Sequence, residues 1–222
     1  MRLQTIRAAS VAFAAMVLAS LAGIGAAGAH PHVWVTVETE ILHDAQKNIT
    51  GFQHKWTFDE FYSSFAIQGM DKNGDGKYDR EELKELAEVN VTSLKEFGFF
   101  TFPKLGQSEV DCLEPRDYWL ELNNNVLTLH FTLPLKEPVA KDKLKEFQFA
   151  VYDPTFYVAF EFAEKDPIRL AGLTGCKPVI SRPQAQTPAK SLSESVFSKN
   201  DQLMNFGQQY AENVHLVCGP AS

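Results

Sequence analysis

Apolar and polar positions alternate one for one at residues 30–38: Val33, Val35 and Val37 face one way, and His32, Trp34, Thr36 and Glu38 the other. That period of two predicts a half-buried strand. Residues 50–58 repeat it, with Phe52, His54, Trp56 and Phe58 on one face, and Lys47-Asn48 supplies the polar turn of a hairpin. The period then lengthens. Asp59 stands as an N-cap, Glu60 follows in the first turn, and Phe61, Phe65 and Ile67 belong to the ensuing helix. A second helix is predicted over 81–97, with Leu83, Leu86, Leu94 and Phe97 along one stripe and Gly98 as its stop.

Strand patterns return at 99–102, 118–122, 126–133, 146–152, 156–162 and 177–180, with Asn123-Asn124-Asn125 as a tight turn between two of them. Short strands interrupted by one helical excursion predict an α+β chain: an antiparallel, β-sandwich-like body with an inserted helix-loop-helix at 59–97. The β-rich domain is expected over 30–182. Residues 181–198 are poor in large apolar side chains and contain Pro183 and Pro188, so a linker is expected there. Residues 201–217 would then form a short helix and a last strand packing back on the domain.

The first residues change where this fold would be made. Arg2 and Arg7 precede an apolar run at 8–22, and Ala27-Gly28-Ala29 is a small-residue cleavage site, so 1–29 is expected to be a signal peptide cleaved after Ala29. The apolar stretch is short beside the roughly 20 strongly apolar residues of a spanning helix. No direct membrane insertion is expected once it is removed. The formal charge of −7, spread along the chain, argues against nucleic acid as a partner. Three cysteines in an oxidising compartment predict one disulfide and one leftover thiol. Spacing alone does not pair them; the strand-like segments beside Cys176 and Cys218 favour that pair over any with Cys112.

Between the two helices, residues 71–82 fill every demanding position of an EF-hand loop. Asp71, Asn73 and Asp75 supply side-chain oxygens, Gly76 the sharp turn and Lys77 its backbone carbonyl. Asp79 would ligate directly or through water, and Glu82 closes the shell in bidentate fashion. The expected cofactor is Ca²⁺. Tyr78 replaces the aliphatic residue usual at position eight, and no partner loop exists for it to bridge to. A single loop of this kind fits the stapling of a fold better than sensing.

Cleavage after Ala29 would expose His30-Pro31-His32, an amine and two imidazoles suited to Zn²⁺, Ni²⁺ or Co²⁺. Pro31 lacks an amide proton, so the square-planar chelate of a third-position His is blocked. His54, on the neighbouring strand, is a candidate third ligand; the competing reading makes it a core histidine between Phe52 and Trp56. No P-loop, GxSxG or HExxH motif occurs, and the pair Asp59-Glu60 reads as helix capping, so no enzymatic activity is expected.

The runs His30-Pro31-His32-Val33-Trp34-Val35 and Trp56-Thr57-Phe58-Asp59-Glu60-Phe61-Tyr62, the loop at 71–82, Tyr152-Asp153-Pro154-Thr155-Phe156-Tyr157 and Gly175-Cys176 together resemble domain-of-unknown-function family 1007. The resemblance covers about 30–182 and the Cys218 end. It implies a periplasmic protein associated with an uncharacterised ABC-type system, and with transport of metals such as nickel, cobalt or zinc. It carries over no catalytic residue. The chain lacks the two-lobed length of a solute receptor, so an accessory metal-handling role beside a membrane transporter is expected. The alternative is a calcium-stabilised, non-enzymatic interaction module of the cell envelope.

Overall fold

The computed structural model describes residues 31–182 and 206–219. The leader expected at 1–29, His30 and residues 183–205, which include most of the linker expected at 181–198, lie outside the described residues. The alternation at the start does form a hairpin: β1 (Val33–His43) pairs antiparallel with β2 (Ile49–Phe58), Val37 opposite Trp56 and Ile41 opposite Phe52. Its turn is held by the Asp44 carboxylate, which accepts from the Asn48 backbone and side-chain amides at 2.9 and 2.8 Å. Val33, Val35, Val37, Phe52, His54, Trp56 and Phe58 all point inward and are buried, while Trp34 lies on the outer face.

β6 (Val126–Val139) pairs with β2 and continues past the end expected at Leu133; β5 (Arg116–Asn123) pairs with β6 at the edge. The turn between β5 and β6 has Asn124 and Asn125 at φ 52° and 63°, the left-handed pair of a type I′ hairpin. On the other edge, β8 (Val158–Phe162) and β9 (Ile168–Arg169) both run parallel to β1. This corrects the expected all-antiparallel body. The chain reaches β8 from the second sheet, not through a hairpin with β1, so no tight turn fixes an antiparallel sense.

The second sheet has the order β10 (Cys176–Ser181), β11 (Asn213–Cys218), β7 (Phe147–Val151), β3 (Thr101–Leu105) and β4 (Ser108–Glu109), with every pair antiparallel. The sheets share one apolar core. Phe52 of the first sheet meets Phe149 of the second with ring centres 4.8 Å apart, and Phe149 meets Phe162 edge-on. Aromatic pairs like these add about 0.5–1.5 kcal/mol each beyond the area they bury. The result is a β-rich α+β fold. Among the described residues no helix is long and apolar enough to cross a membrane.

The excursion between β2 and β3 carries α1 (Glu60–Ala66) and α2 (Lys84–Leu94). The second helix is shorter than its stripe predicts. Beyond Leu94 the chain tightens into a 3-10 turn, and Gly98, Phe99 and Phe100 take φ values of 61°, 56° and 48°. Left-handed backbone costs a non-glycine residue about 1–2 kcal/mol; burying Phe99 and Phe100 offsets it. Phe97, assigned to the buried stripe, is 40% exposed instead. At the C-terminal end, Cys176 and Cys218 are disulfide-bonded and pair across β10 and β11, as their flanking strands favoured. Cys112 is the free thiol, and burial pushes its pKa up to about 12.

Candidate metal loop and the adjoining apolar cavity

Asp59 fixes the entry to the excursion. One carboxylate oxygen accepts from Tyr62 N–H at 2.9 Å and caps α1; the other accepts from Trp34 N–H at 3.0 Å and ties the helix to β1. Buried Ser63 then donates to Asp59 O at 2.6 Å and accepts from Leu127 N–H at 2.9 Å, joining α1 to β6.

Residues 71–82 form a loop closed on its own oxygens. Asp71 accepts from Gly74 N–H at 2.8 Å and Gly76 N–H at 3.0 Å; Asn73 accepts from Asp75 N–H and Asp75 from Lys77 N–H, both at 2.8 Å. Gly74 and Gly76 have φ 72° and 74°, conformations a side chain would strain. Glu82, nearly buried, reaches back across the loop. Its Oε1 accepts from Lys72 N–H at 3.0 Å and its Oε2 from Asp79 N–H at 3.2 Å, while Asp79 Oδ1 accepts from Glu82 N–H at 2.9 Å. The last two bonds are the reciprocal pair of a capping box, set one turn before α2. Among the described residues no three His, Cys, Asp or Glu side chains converge as a ready-made metal cluster. The donor set is nonetheless all oxygen, the chemistry of a calcium site and not of a transition metal.

The candidate histidines are not brought together. His54 lies on the inner face of the hairpin; His32 lies on the outer face, in contact with Tyr157 at 4.7 Å between ring centres. Thr39, the cross-strand neighbour of His54, is seven residues from His32, roughly 23 Å along an extended strand. The His54 ring is enclosed by Phe52, Trp56 and Phe131. Thr101 Oγ1 donates its proton to Phe99 O at 3.0 Å, so it accepts from His54 Nε2–H at 3.3 Å, and His54 Nδ1 accepts from Thr39 Oγ1–H at 2.9 Å. Both nitrogens are used. Burial lowers the pKa to about 3, so the ring is neutral and in the Nε2–H tautomer. His54 is therefore a satisfied core residue in this structure, which answers the expectation of a ligand with two threonine hydroxyls.

What sequence reading missed is a cavity of about 350 Å³ between the hairpin, α2 and β8. Val33, Val35, Trp56, Phe58, Leu94, Phe100 and Phe160 give it an apolar interior. Val89, Phe97 and Tyr157 at its edge are 57%, 40% and 51% exposed. Tyr62 Oη donates to Asn90 Oδ1 at 3.2 Å, and Asn90 in turn donates to Leu86 O, so α1 and α2 are bridged where both line the cavity. The available sequence signal was Val89, an apolar residue off the helical stripe.

A family model described as a protein of unknown function, DUF1007, matches residues 15–218. An uncharacterised protein of Haemophilus influenzae is 28% identical over 195 residues, covering 86% of this chain and 91% of that protein. An uncharacterised 15.5 kDa protein in the trpE 3′ region of Spirochaeta aurantia is 29% identical over 111 residues, covering 50% of this chain and 78% of that one.

Proposed function

The chain belongs to the DUF1007 family, and on that footing we propose that it is a calcium-stapled, non-enzymatic module of the cell envelope. The carrying observation is the loop at 71–82, where Asp71, Asn73, Asp75, Asp79 and Glu82 sit at the EF-hand spacing and Gly76 takes the turn at φ 74°. Carboxylate oxygens have more lone pairs than the loop amides occupy, so a cation can be ligated with the existing bonds retained. Four carboxylates also repel one another when no cation offsets them. Calcium would thereby fix α1 and α2 on the sheets. Export through a cleaved leader is part of this reading, and the Cys176–Cys218 disulfide is compatible with an oxidising compartment. Isothermal titration of chelator-treated protein should give one equivalent of Ca²⁺. No heat, together with a melting temperature unmoved by millimolar calcium, would remove the proposal.

A second reading keeps the handling of nickel, cobalt or zinc for a membrane transporter. The favouring observation is that His32 is exposed just before β1, two residues after His30 in sequence. His54 leaves the ligand set. Native mass spectrometry with each ion should show retention that His30→Ala with His32→Ala abolishes and His54→Phe does not. Retention equal in all three proteins would discard this reading.

A further inference from the structure

We infer that the cleft between the start of α2 and β5 is a binding site for a free α-amino acid with an apolar side chain, held as a zwitterion. The cleft encloses about 350 Å³, within the size range of small-molecule sites. One wall carries Arg80, Lys84, Ala87 and Glu88, spaced by the three and four residues that align side chains on one side of a helical turn. The other wall is Asp117, Tyr118 and Trp119, where the pairing of β5 with β6 shifts register and Asp117 takes φ 52°.

The chemistry of the occupant follows from charges that share the cleft without pairing. Among the described residues, Arg116, Arg169 and Arg182 each meet a carboxylate. Arg80 meets none and lies instead over the Trp119 ring, 4.1 Å from its centre. Stacking uses the flat of a guanidinium and leaves its edge, a planar fork of N–H donors, open to a carboxylate. Lys84, Glu81 and Glu88 line the same cleft and likewise form no ion pair among the described residues; Asp117 is already met by Arg116 at 3.7 Å. Two cations and two carboxylates therefore face one space without neutralising one another. An anion placed there would meet Glu81 and Glu88, a cation would meet Arg80 and Lys84, and an uncharged apolar body would strip water from all four. A zwitterion answers each charge, with its carboxylate toward Arg80 and Lys84 and its ammonium toward Glu88. Ala87, Tyr118 and the Trp119 indole complete the lining, and they make the accepted side chain apolar.

Three probes of one skeleton test this. L-phenylalanine carries both charges, 3-phenylpropionate only the carboxylate and 2-phenylethylamine only the ammonium. Each is titrated by calorimetry and into ¹⁵N-labelled protein, with the Trp119 indole resonance assigned by Trp119→Phe. The series is run in excess calcium and again in chelator, so that the outcome does not depend on occupancy of residues 71–82. Phenylalanine should saturate at one equivalent in at least one of the two conditions, move the Trp119 indole resonance, and bind about tenfold or more tightly than either singly charged probe, because charge-assisted hydrogen bonds are the strong class. Arg80 and Glu88 are exposed, so their substitution leaves the core intact. Arg80→Ala should shrink the advantage of phenylalanine over 2-phenylethylamine by about threefold or more, and Glu88→Gln should do the same to its advantage over 3-phenylpropionate. Arg80→Lys, which keeps the charge without the fork, should restore only part of the loss. Absence of saturation in both conditions, equal affinity for the three probes, or an advantage that persists undiminished in its matching variant would overturn the inference.

Discussion

The Arg80 guanidinium lies 4.1 Å from the centre of the Trp119 ring, and His130 stacks on the same indole with ring centres 3.9 Å apart and planes within 3°. His130 Nε2 meets Glu121 Oε1 at 2.9 Å. Arg80 is the tenth residue of the loop at 71–82, while Trp119, Glu121 and His130 belong to β5 and β6. The loop is thus coupled to the edge of the first sheet by a cation over an aromatic face, a contact worth about 0.5–2 kcal/mol.

That contact makes Trp119 an intrinsic reporter. Calcium binding that orders residues 71–82 should change tryptophan emission with a single saturation curve. Trp119→Phe should abolish most of the change, because Trp56 is buried in the core and Trp34 stands on the outer face of β1. Arg80→Ala should reduce it while leaving the calcium stoichiometry intact. A calcium-dependent signal that survives Trp119→Phe would refute the coupling.

Glu82 combines a capping role and a ligand role, and two substitutions separate them. Glutamine still fits the capping box but has no charge. Glu82→Gln should therefore melt near the parent protein without calcium and bind calcium at least tenfold more weakly, a loss of about 1.4 kcal/mol or more. Glu82→Ala should in addition cost about 1 kcal/mol in the calcium-free state. At calcium a hundredfold above its dissociation constant, the parent protein gains about 2.7 kcal/mol that neither variant should match. Denaturant melts with and without chelator measure all three quantities.

The hairpin was legible because one face of β1 and of β2 is buried, which forces strict alternation on residues 33–37 and 52–58. Asp59 was legible as a cap because capping is local, and the Cys176–Cys218 pairing was legible from the strand patterns beside each cysteine. Alternation names the face of a residue and never its neighbour, so nothing in residues 156–162 announced that β8 would run parallel to β1. The fate of His54 was equally non-local. Its partners Thr39 and Thr101 come from β1 and from β3 in the opposite sheet. The cavity draws on the hairpin, both helices and β8, and so no single segment carried its signature.

His54 gives stability a pH dependence of definite sign. Its pKa falls from an ordinary value of 6.5 to about 3 in the folded state, so between those values the unfolded chain holds a proton the folded one refuses. The stabilisation is complete above pH 6.5 and is lost as pH falls, by about 1.4 kcal/mol per unit. At pH 5 the loss is about 2 kcal/mol. His54→Phe should be about 1–3 kcal/mol less stable at pH 7.5, because Thr39 and Thr101 lose their shared partner. Its deficit should shrink or reverse by pH 5. Parallel stability curves for the two proteins between pH 7.5 and 5 would show that the ring is not held neutral.

Gly207 is where the C-terminal segment meets the first part of the chain. Its N–H donates to Pro154 O at 2.9 Å, and a Cβ built on it would lie 1.8 Å from Asp153 O. The opposing atom is backbone and cannot swing aside. Asp153 is itself buried and fixed, with Oδ1 accepting from Thr155 N–H at 2.8 Å and Oδ2 from Val158 N–H at 3.0 Å. Gly207→Ala must therefore push the turn Phe206–Tyr210 away from Phe156, at a cost of about 1–3 kcal/mol typical of overpacking. The disulfide still holds β11 against β10, and β11 still pairs with β7. Hydrogen exchange in the variant should accordingly accelerate at residues 207–211 while Val214 and Leu216 keep their protection. Uniform acceleration through β11 would mean that the turn and the last strand unfold as one unit, and that the cystine alone does not secure the strand.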